Sequence, residues 1–372
     1  MKVMYLIWSL GYGGAEKMLL SLASEHGPGV EPLVCCLDDV GCHAHHLVDR
    51  GIKVIPLNKK RGFDISVLGK LRNIVRDERV DIINSHLWSA NLYARLLKCF
   101  VSVPVVVDEH NVDLWKKWYH FAIDRLLAPK ADGYIFVSQA VREFYRMNVP
   151  GALRKHKVIY NGIDLTPFRQ GGDIRGDLLA HFSALADARL LVNVGRLVEA
   201  KDQAELVRIT RTLVDKGYNV YTLIVGDGPL RGELEREVAA TGMQSRVWLT
   251  GSRDDVPLIL KSCDLFVLPS RWEGLPLVIL ETMCAGTPPV FYDVGGTAEF
   301  VRDGEDGIKV PAGNTEAILA ALERLLSSQG EIDRLADNFR QRGMEGCDTV
   351  QMVRAYERLF FDMLESNKTG AR

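Results

Sequence analysis

The sequence predicts an α/β protein built from two doubly wound parallel sheets. Three observations carry this expectation. Apolar strand-like runs alternate with amphipathic helical stretches along the whole chain. The 372 residues exceed what one hydrophobic core usually fills. A polar stretch rich in helix breakers, Asn161-Gly162-Ile163-Asp164 followed by Thr166-Pro167, Gly171-Gly172 and Gly176, divides the alternation in two and suits a hinge. Strands are expected over residues 2–9, 32–37, 53–57, 81–85, 103–107, 133–137 and 157–160, then over 189–194, 220–225, 246–250, 265–268, 289–292 and 307–310. The domains then fall at 1–165 and 174–345, with 346–372 as a closing segment, and a ligand is expected in the cleft between them.

Composition narrows the function classes. A hydrophobic content of 47% with 25% charged residues excludes a disordered or fibrous chain. The longest apolar runs, near 105–107 and 265–268, fall short of the roughly 18 residues a membrane-spanning helix needs. Residues 1–10 are apolar but lead into Gly11 with no small-residue cleavage site, so they read as the first strand of a cytoplasmic protein. Seven cysteines without a C-x-x-C pair favour a reducing compartment over a disulfide framework or a zinc ribbon. The net charge of −2 argues against a nucleic-acid partner, but it hides an asymmetry. Residues 1–165 carry 22 Lys and Arg against 17 Asp and Glu; the remainder carries 24 against 31. The first half is the one suited to an anionic surface.

Several motifs follow strand ends. Gly11-Tyr12-Gly13-Gly14-Ala15-Glu16 is a glycine-rich turn entering a helix, where backbone N–H groups can approach a phosphate; a tight turn without a ligand explains it equally well. A dinucleotide fingerprint would need glycine where Glu16 stands. In the second half Gly195-Arg196 ends a strand and Lys201 opens the next helix, bringing two cations to a site fit for a diphosphate. Arg271-Trp272-Glu273-Gly274-Leu275-Pro276 precedes a helix whose first amides, on Leu277 and Val278, can face an anion. Were the stretch helical throughout, Glu273 and Glu281 would stand roughly 12 Å apart. That spacing suits two separate hydroxyl contacts better than an acid/base couple, while two exposed helix-face glutamates remain the plainer alternative. His86 and His110 each end a strand and are expected to face a polar ligand. Cys35, Cys36, Cys42, His43, His45 and His46 have no recognised metal spacing.

The ensemble of Gly13-Gly14-Ala15-Glu16, Asp108-Glu109-His110-Asn111, Val158 to Asp164, Val194-Gly195-Arg196 with Lys201, Val225 to Leu230, and Glu273 through Glu281 resembles glycosyltransferase family 4. The resemblance implies a GT-B fold of two facing Rossmann-like domains and a last helix, near 349–365, returning to the first domain. It implies retaining, metal-independent transfer from a UDP- or GDP-sugar to a saccharide or lipid-linked saccharide, in bacterial polysaccharide or glycolipid synthesis, with no cofactor. By the same resemblance Arg196 and Lys201 bind the donor diphosphate, with Gly195, Gly274, Leu275, Leu277 and Val278 around it. Gly13 and Gly14 approach a phosphate, Glu281 holds the ribose, Glu273 the sugar hydroxyls, and His110 the transferred sugar, with His86 on the acceptor side. Pro289 departs from the family pattern and puts the course of its strand in question. A catalytically silent subunit, a nucleotide-sugar epimerase or phosphorylase, and a nicotinamide-binding module are the competing readings. Trp115-Lys116-Lys117-Trp118-Tyr119-His120-Phe121, with Lys59, Lys60 and Arg61, adds one further expectation, a weak contact of rings and lysines with an anionic surface on the inner face of the cytoplasmic membrane, against an ordinary helix packed on its sheet.

Overall fold

The computed structural model describes residues 1–153 and 155–369, with side chains through residue 366. The chain forms two compact units, Met1–Ile163 with the helix that starts at Thr349, and Asp164–Asp348. The first holds seven strands, β1 (Lys2–Ile7), β2 (Glu31–Cys36), β3 (Lys53–Pro56), β4 (Ile82–His86), β5 (Val105–Glu109), β6 (Gly133–Phe136) and β7 (His156–Val158). They pair in parallel in the order β3-β2-β1-β4-β5-β6-β7. The second holds β8 (Arg189–Val194), β9 (Val220–Val225), β10 (Val247–Gly251), β11 (Leu265–Leu268), β12 (Pro289–Tyr292) and β13 (Ile308–Val310), in the order β10-β9-β8-β11-β12-β13.

Each strand is a short, nearly continuous apolar run because helices cover both faces of a parallel sheet. Val3 through Ile7 and Leu190 through Val192 are fully buried. The strand order reverses between β1 and β4 in the first unit and between β8 and β11 in the second, which opens a crevice at the carboxyl ends of those strands.

β4 and β5 run to His86 and Glu109, beyond the expected ends, because the ladder continues to the pair His86 and Asp108. Pro289 disturbs nothing. It is the first residue of β12, where its missing N–H removes no ladder bond, and it pairs in register with Phe266. The breaker-rich stretch after Asp164 is packed rather than loose. Phe168 is buried, the Lys261 Nζ donates to the carbonyls of Pro167 and Gln170 at 3.0 and 2.6 Å, and the Ile174 N–H donates to Ser262 Oγ at 3.0 Å.

The helix Thr349–Thr369 buries Tyr356 and Phe360 in the first unit, and its Glu357 carboxylate accepts from the Gly27 N–H at 2.8 Å. In the second unit the helix Gln329–Gly346 lies against Leu277–Ala285 so closely that a Cβ on Gly343 would sit 2.8 Å from the Met283 carbonyl carbon. Gly343→Ala gains about 1 kcal/mol of helix propensity but forces backbone apart at a cost of about 1–3 kcal/mol. We expect a net loss of stability in Gly343→Ala, measured by urea unfolding, and none in Gly346→Ala, where a Cβ meets nothing within 4 Å.

Candidate active site

In the second unit the loops after β8 and β11 supply the charged groups. Gly195 and Arg196 follow β8, and the guanidinium of Arg196 is exposed with no carboxylate partner among the described residues. Lys201 ends a short 3-10 turn, Glu199–Lys201, rather than opening the next helix. Its Nζ lies 2.6 Å from Glu273 Oε1, which also accepts from Ser270 Oγ at 2.7 Å. The two loops are tied further by the Arg271 N–H to Ala200 carbonyl bond at 2.8 Å and by Arg271 to Asp202 at 2.7 Å.

Glu273 lies in the loop and Glu281 in the helix Leu277–Ala285, so the stretch between them is not wholly helical. Both glutamates are only 6% exposed, which overturns the plainer expectation of two solvated helix-face carboxylates. Pro276 is the N-cap, and Leu277 and Val278 occupy the first turn, where N–H groups lack intrahelical acceptors. Gly274 and Leu275 complete the approach, with Gly274 accepting from the Gly296 N–H at 2.6 Å. Gly295 holds the same loop from below. At φ 58° it approaches so closely that a Cβ there would lie 1.8 Å from the Glu273 carbonyl oxygen. Gly295 and Ser270 support this loop; the sequence reading includes Ser270 in the motif without giving it a role and does not single out Gly295.

In the first unit β1 and β4 end at the topological switch, with β5 beside β4. Gly13 caps the helix Gly14–Ser24, and the Glu16 carboxylate folds back over it: a Cβ on Gly13 would lie 2.1 Å from Glu16 Oε2. A phosphate at Gly13 and Gly14 therefore requires Glu16 to swing away.

His110, directly after β5, is half-buried, whereas His86 is fully buried. This corrects the expectation that both face a ligand: His86 lies against the Tyr5 ring beside His110 and is closed off from the surface. Its Nδ1 lies 3.0 Å from His110 Nε2 and 3.3 Å from Asp108 Oδ2. The Asp108 carboxylate also accepts from Tyr356 Oη at 2.7 Å and Asn84 Nδ2 at 2.8 Å. The network assigns the His86 proton to Nδ1, so His110 accepts at Nε2 and presents Nδ1–H outward. Burial holds both rings neutral, His86 well below the usual histidine range and His110 down to about 4. Burial likewise raises Asp108 to about 7 against the opposing pull of its Tyr356 and Asn84 bonds. His86, Asp108 and His110 are the one group of metal-ligand types among the described residues whose donor atoms lie within 4.8 Å of one another. Those atoms are already bonded to each other, to Tyr356 and to Asn84, which fits a positioning network better than a cation site.

A second network lies beside the first. Tyr145 Oη donates to Glu109 Oε2 at 2.6 Å and accepts from Lys116 Nζ at 2.6 Å, and Lys116 pairs with Asp113 at 3.0 Å and Asp124 at 3.1 Å. Arg95 joins Asp124 at 2.6 Å. Lys116 is thus an internal cation, which corrects its expected place at a lipid surface. Trp115 and Trp118 are 50% and 81% exposed, so the ordinary packed helix fails too. Between His86 and Trp88, Leu87 takes φ 72°, ψ 153°, a conformation costing a leucine about 1–3 kcal/mol and typical of functional turns.

The protonation pattern has a measurable sign. Between pH 4 and 6.5 an unfolded chain protonates its histidines and ionises its aspartates, at about 6.5 and 3.9. Neutral His86 and His110 in the fold make stability rise with pH over that window, and protonated Asp108 makes it fall. Asp108→Asn removes only the falling contribution. Denaturant unfolding should show stability climbing with pH more steeply than in the wild type, by up to about 1.4 kcal/mol per pH unit. An unchanged slope would mean Asp108 is ionised throughout.

Comparison with known proteins agrees with this geometry. The family model described as "Glycosyl transferases group 1" matches residues 181–344, and the one described as "Glycosyltransferase Family 4" matches residues 12–167. An alpha-D-kanosaminyltransferase of Streptomyces kanamyceticus is 30% identical over 264 residues, covering 67% of this chain and 68% of that protein. A UDP-Gal:alpha-D-GlcNAc-diphosphoundecaprenol alpha-1,3-galactosyltransferase of Escherichia coli is 26% identical over 316 residues, covering 81% and 80%. The crystal structure of Anabaena HepE in complex with UDP-glucose superposes with a TM-score of 0.86 at 23% identity, covering 98% of this chain and 100% of that one. The fold is GT-B, and the chain belongs to glycosyltransferase family 4 as a group 1 sugar-transferring enzyme.

Proposed function

We propose that the enzyme moves a sugar from a nucleoside-diphosphate donor to a saccharide hydroxyl with retention of anomeric configuration, in bacterial glycan or glycolipid synthesis. The observation that supports this reading is the Lys201–Glu273 pair joining the loops after β8 and β11, with Arg196 exposed in the first of those loops and Glu281 buried in the helix that begins at Leu277. Relatives with UDP-sugar or diphosphoundecaprenol in their names support it.

On this reading Arg196, Lys201 and the amides take the diphosphate, Glu281 the ribose and Glu273 the sugar hydroxyls. Gly195, Gly274 and Leu275 let the backbone come close. His110 contributes its outward N–H to the transferred sugar, and Gly13 with Gly14 approach a phosphate once Glu16 has turned aside. The anomeric carbon–oxygen bond to phosphate breaks and a bond to the acceptor oxygen forms on the same face. The acceptor proton passes to the departing phosphate oxygen. Negative charge grows on the diphosphate as that bond breaks, so fixed cations and helix-end amides stabilise the transition state more than the ground state. The residues named carry that charge.

Lys201 holds Glu273 before any donor arrives. Donor binding must therefore exchange one anionic partner for another, and Glu273 is then free to accept from sugar hydroxyls. A thermal-shift panel of UDP, GDP and their sugars, followed by transfer assays, tests the function, since a ligand that binds only the folded state raises its melting point. A panel in which no nucleotide stabilises the protein would overturn it. Arg196→Ala is expected to lower donor-limited turnover by about 10 to 100 fold with an unchanged melting temperature, because its side chain has no partner to lose. Lys201→Ala should lose turnover similarly and also about 1 to 3 kcal/mol of stability, because Glu273 is left buried and unpaired.

The exposed Leu114, Trp115, Trp118 and Tyr119 beside Lys117 support weak contact with an anionic membrane surface. No helix among the described residues is long and apolar enough to cross a membrane. One lysine near an anionic surface contributes only about 1 kcal/mol. Co-sedimentation with phosphatidylserine vesicles should fall on raising salt and in Lys117→Glu with Trp118→Ala; equal recovery of both proteins in the supernatant at low salt would remove the membrane from this account.

A further inference from the structure

Lys201 sits on a three-residue 3-10 turn, Glu199–Lys201, in the loop after β8. Asp202 follows at φ 44°, ψ 48°, a left-handed conformation that residues other than glycine adopt sparingly, and it is the N-cap of the helix Gln203–Asp215. An aspartate at an N-cap ordinarily turns its carboxylate onto the first helical amides. This one caps no amide. Its Oδ2 instead accepts from Arg271 Nε at 2.7 Å, across to the loop after β11. Arg271 reaches the same turn twice more: its N–H donates to the Ala200 carbonyl at 2.8 Å, and its guanidinium lies 3.4 Å from Glu199 Oε1. One residue thus grips positions 199, 200 and 202 and leaves between them only Lys201, whose Nζ goes to Glu273 in the same loop as Arg271. The Lys201 stem also lies close over Gly195, where a Cβ would fall 3.1 Å from Lys201 Cε.

We propose that Arg271 is a positioning residue for donor binding: paired with Asp202, it clasps the 199–202 turn to the loop after β11 and so fixes where the Lys201 ammonium stands, without touching the donor itself. The proposal rests on the glycosyltransferase reading and adds to it a residue to which that reading gives no part. The energy of the pair is not what matters. An exposed ion pair stabilises a fold little, and the Arg271 side chain is 52% exposed. What the clasp supplies is geometry. Lysine carries a point charge on a flexible four-carbon stem, so its value to a diphosphate depends on where its backbone is anchored. A displacement of about 1 Å can cost about a hundredfold in rate. On the donor reading the ammonium serves two anions in turn, Glu273 first and the diphosphate after it. With the residues on both sides of Lys201 held, its head group can exchange those partners while its α-carbon stays in place. Using Arg271 as a third cation for the diphosphate would instead leave the Asp202 carboxylate, only 15% exposed, without its partner.

The test measures, by titration calorimetry on the full chain, the affinity of UDP and of GDP for the wild type, Arg271→Ala, Arg271→Lys, Asp202→Gly, Lys201→Ala and the double variant Arg271→Ala/Lys201→Ala, with a melting temperature for each. Whichever diphosphate the wild type binds should bind Arg271→Ala about tenfold more weakly. Arg271→Lys should recover part of that loss by keeping a cation for Asp202. Asp202→Gly separates positioning from folding: glycine accepts φ 44° without strain, so the melting temperature holds while diphosphate affinity falls as in Arg271→Ala. In the double variant the loss should match that of Lys201→Ala alone, since a residue that acts through Lys201 then has nothing to position. Wild-type affinity in either Arg271→Ala or Asp202→Gly overturns the proposal. So does a double variant whose two losses multiply, which would make Arg271 an independent donor contact. A wild-type protein that binds neither diphosphate sinks the donor reading and the positioning role with it, a result distinct from the other two.

Discussion

A carboxylate with no access to water sets the terms for the first unit. Asp108 sits at the last ladder position of β5, and an acid buried there must be neutralised or surrounded by donors. The donors come from Asn84 on β4, His86 at the end of the same strand, and Tyr356 on the helix Thr349–Thr369. Satisfying one side chain therefore joins two neighbouring strands to a helix far along the chain, and it fixes the imidazole of His86, which in turn fixes that of His110. The orientation of His110 is a by-product of solving a burial problem beneath it.

The second unit solves a related problem with less burial. Glu273 and Lys201 come from loops that follow adjacent strands, and they hold each other. Gly295 and Gly226 let backbones approach where a side chain would collide, with a Cβ on Gly226 falling 2.1 Å from the Gly195 carbonyl oxygen. Closely packed backbone thus surrounds the charge pair. In both units the candidate residues lie near the point where the strand order reverses, because there two adjacent loops leave in opposite directions and expose the strand ends.

Much of this was legible in the sequence. All thirteen strands lie where apolar runs predict them, since a parallel sheet covered on both faces leaves a continuous hydrophobic signature. The charged motifs at Arg196, Lys201, Glu273 and Glu281 announce themselves by following those strands. What failed was direction. A histidine at a strand end faces solvent or core depending on whether its register places it over a neighbour, and His86 lies in the ladder opposite Asp108 while His110 lies one step past it. Lys116 misled for the same reason: flanked by exposed Trp115 and Lys117, it looks solvated, yet it turns inward to Asp113 and Asp124. The roles of Tyr356 and Gly295 carried no local signal, because each depends on a partner distant in sequence.

The bond between Tyr356 and Asp108 spans 248 residues. On a ribosome adding about 5 to 20 residues per second, the hydroxyl emerges roughly 12 to 50 s after the carboxylate it satisfies. For that interval Asp108 has its partners on β4 but not the one on the last helix, so the first unit gains its full set of buried contacts only after the whole second unit has been made.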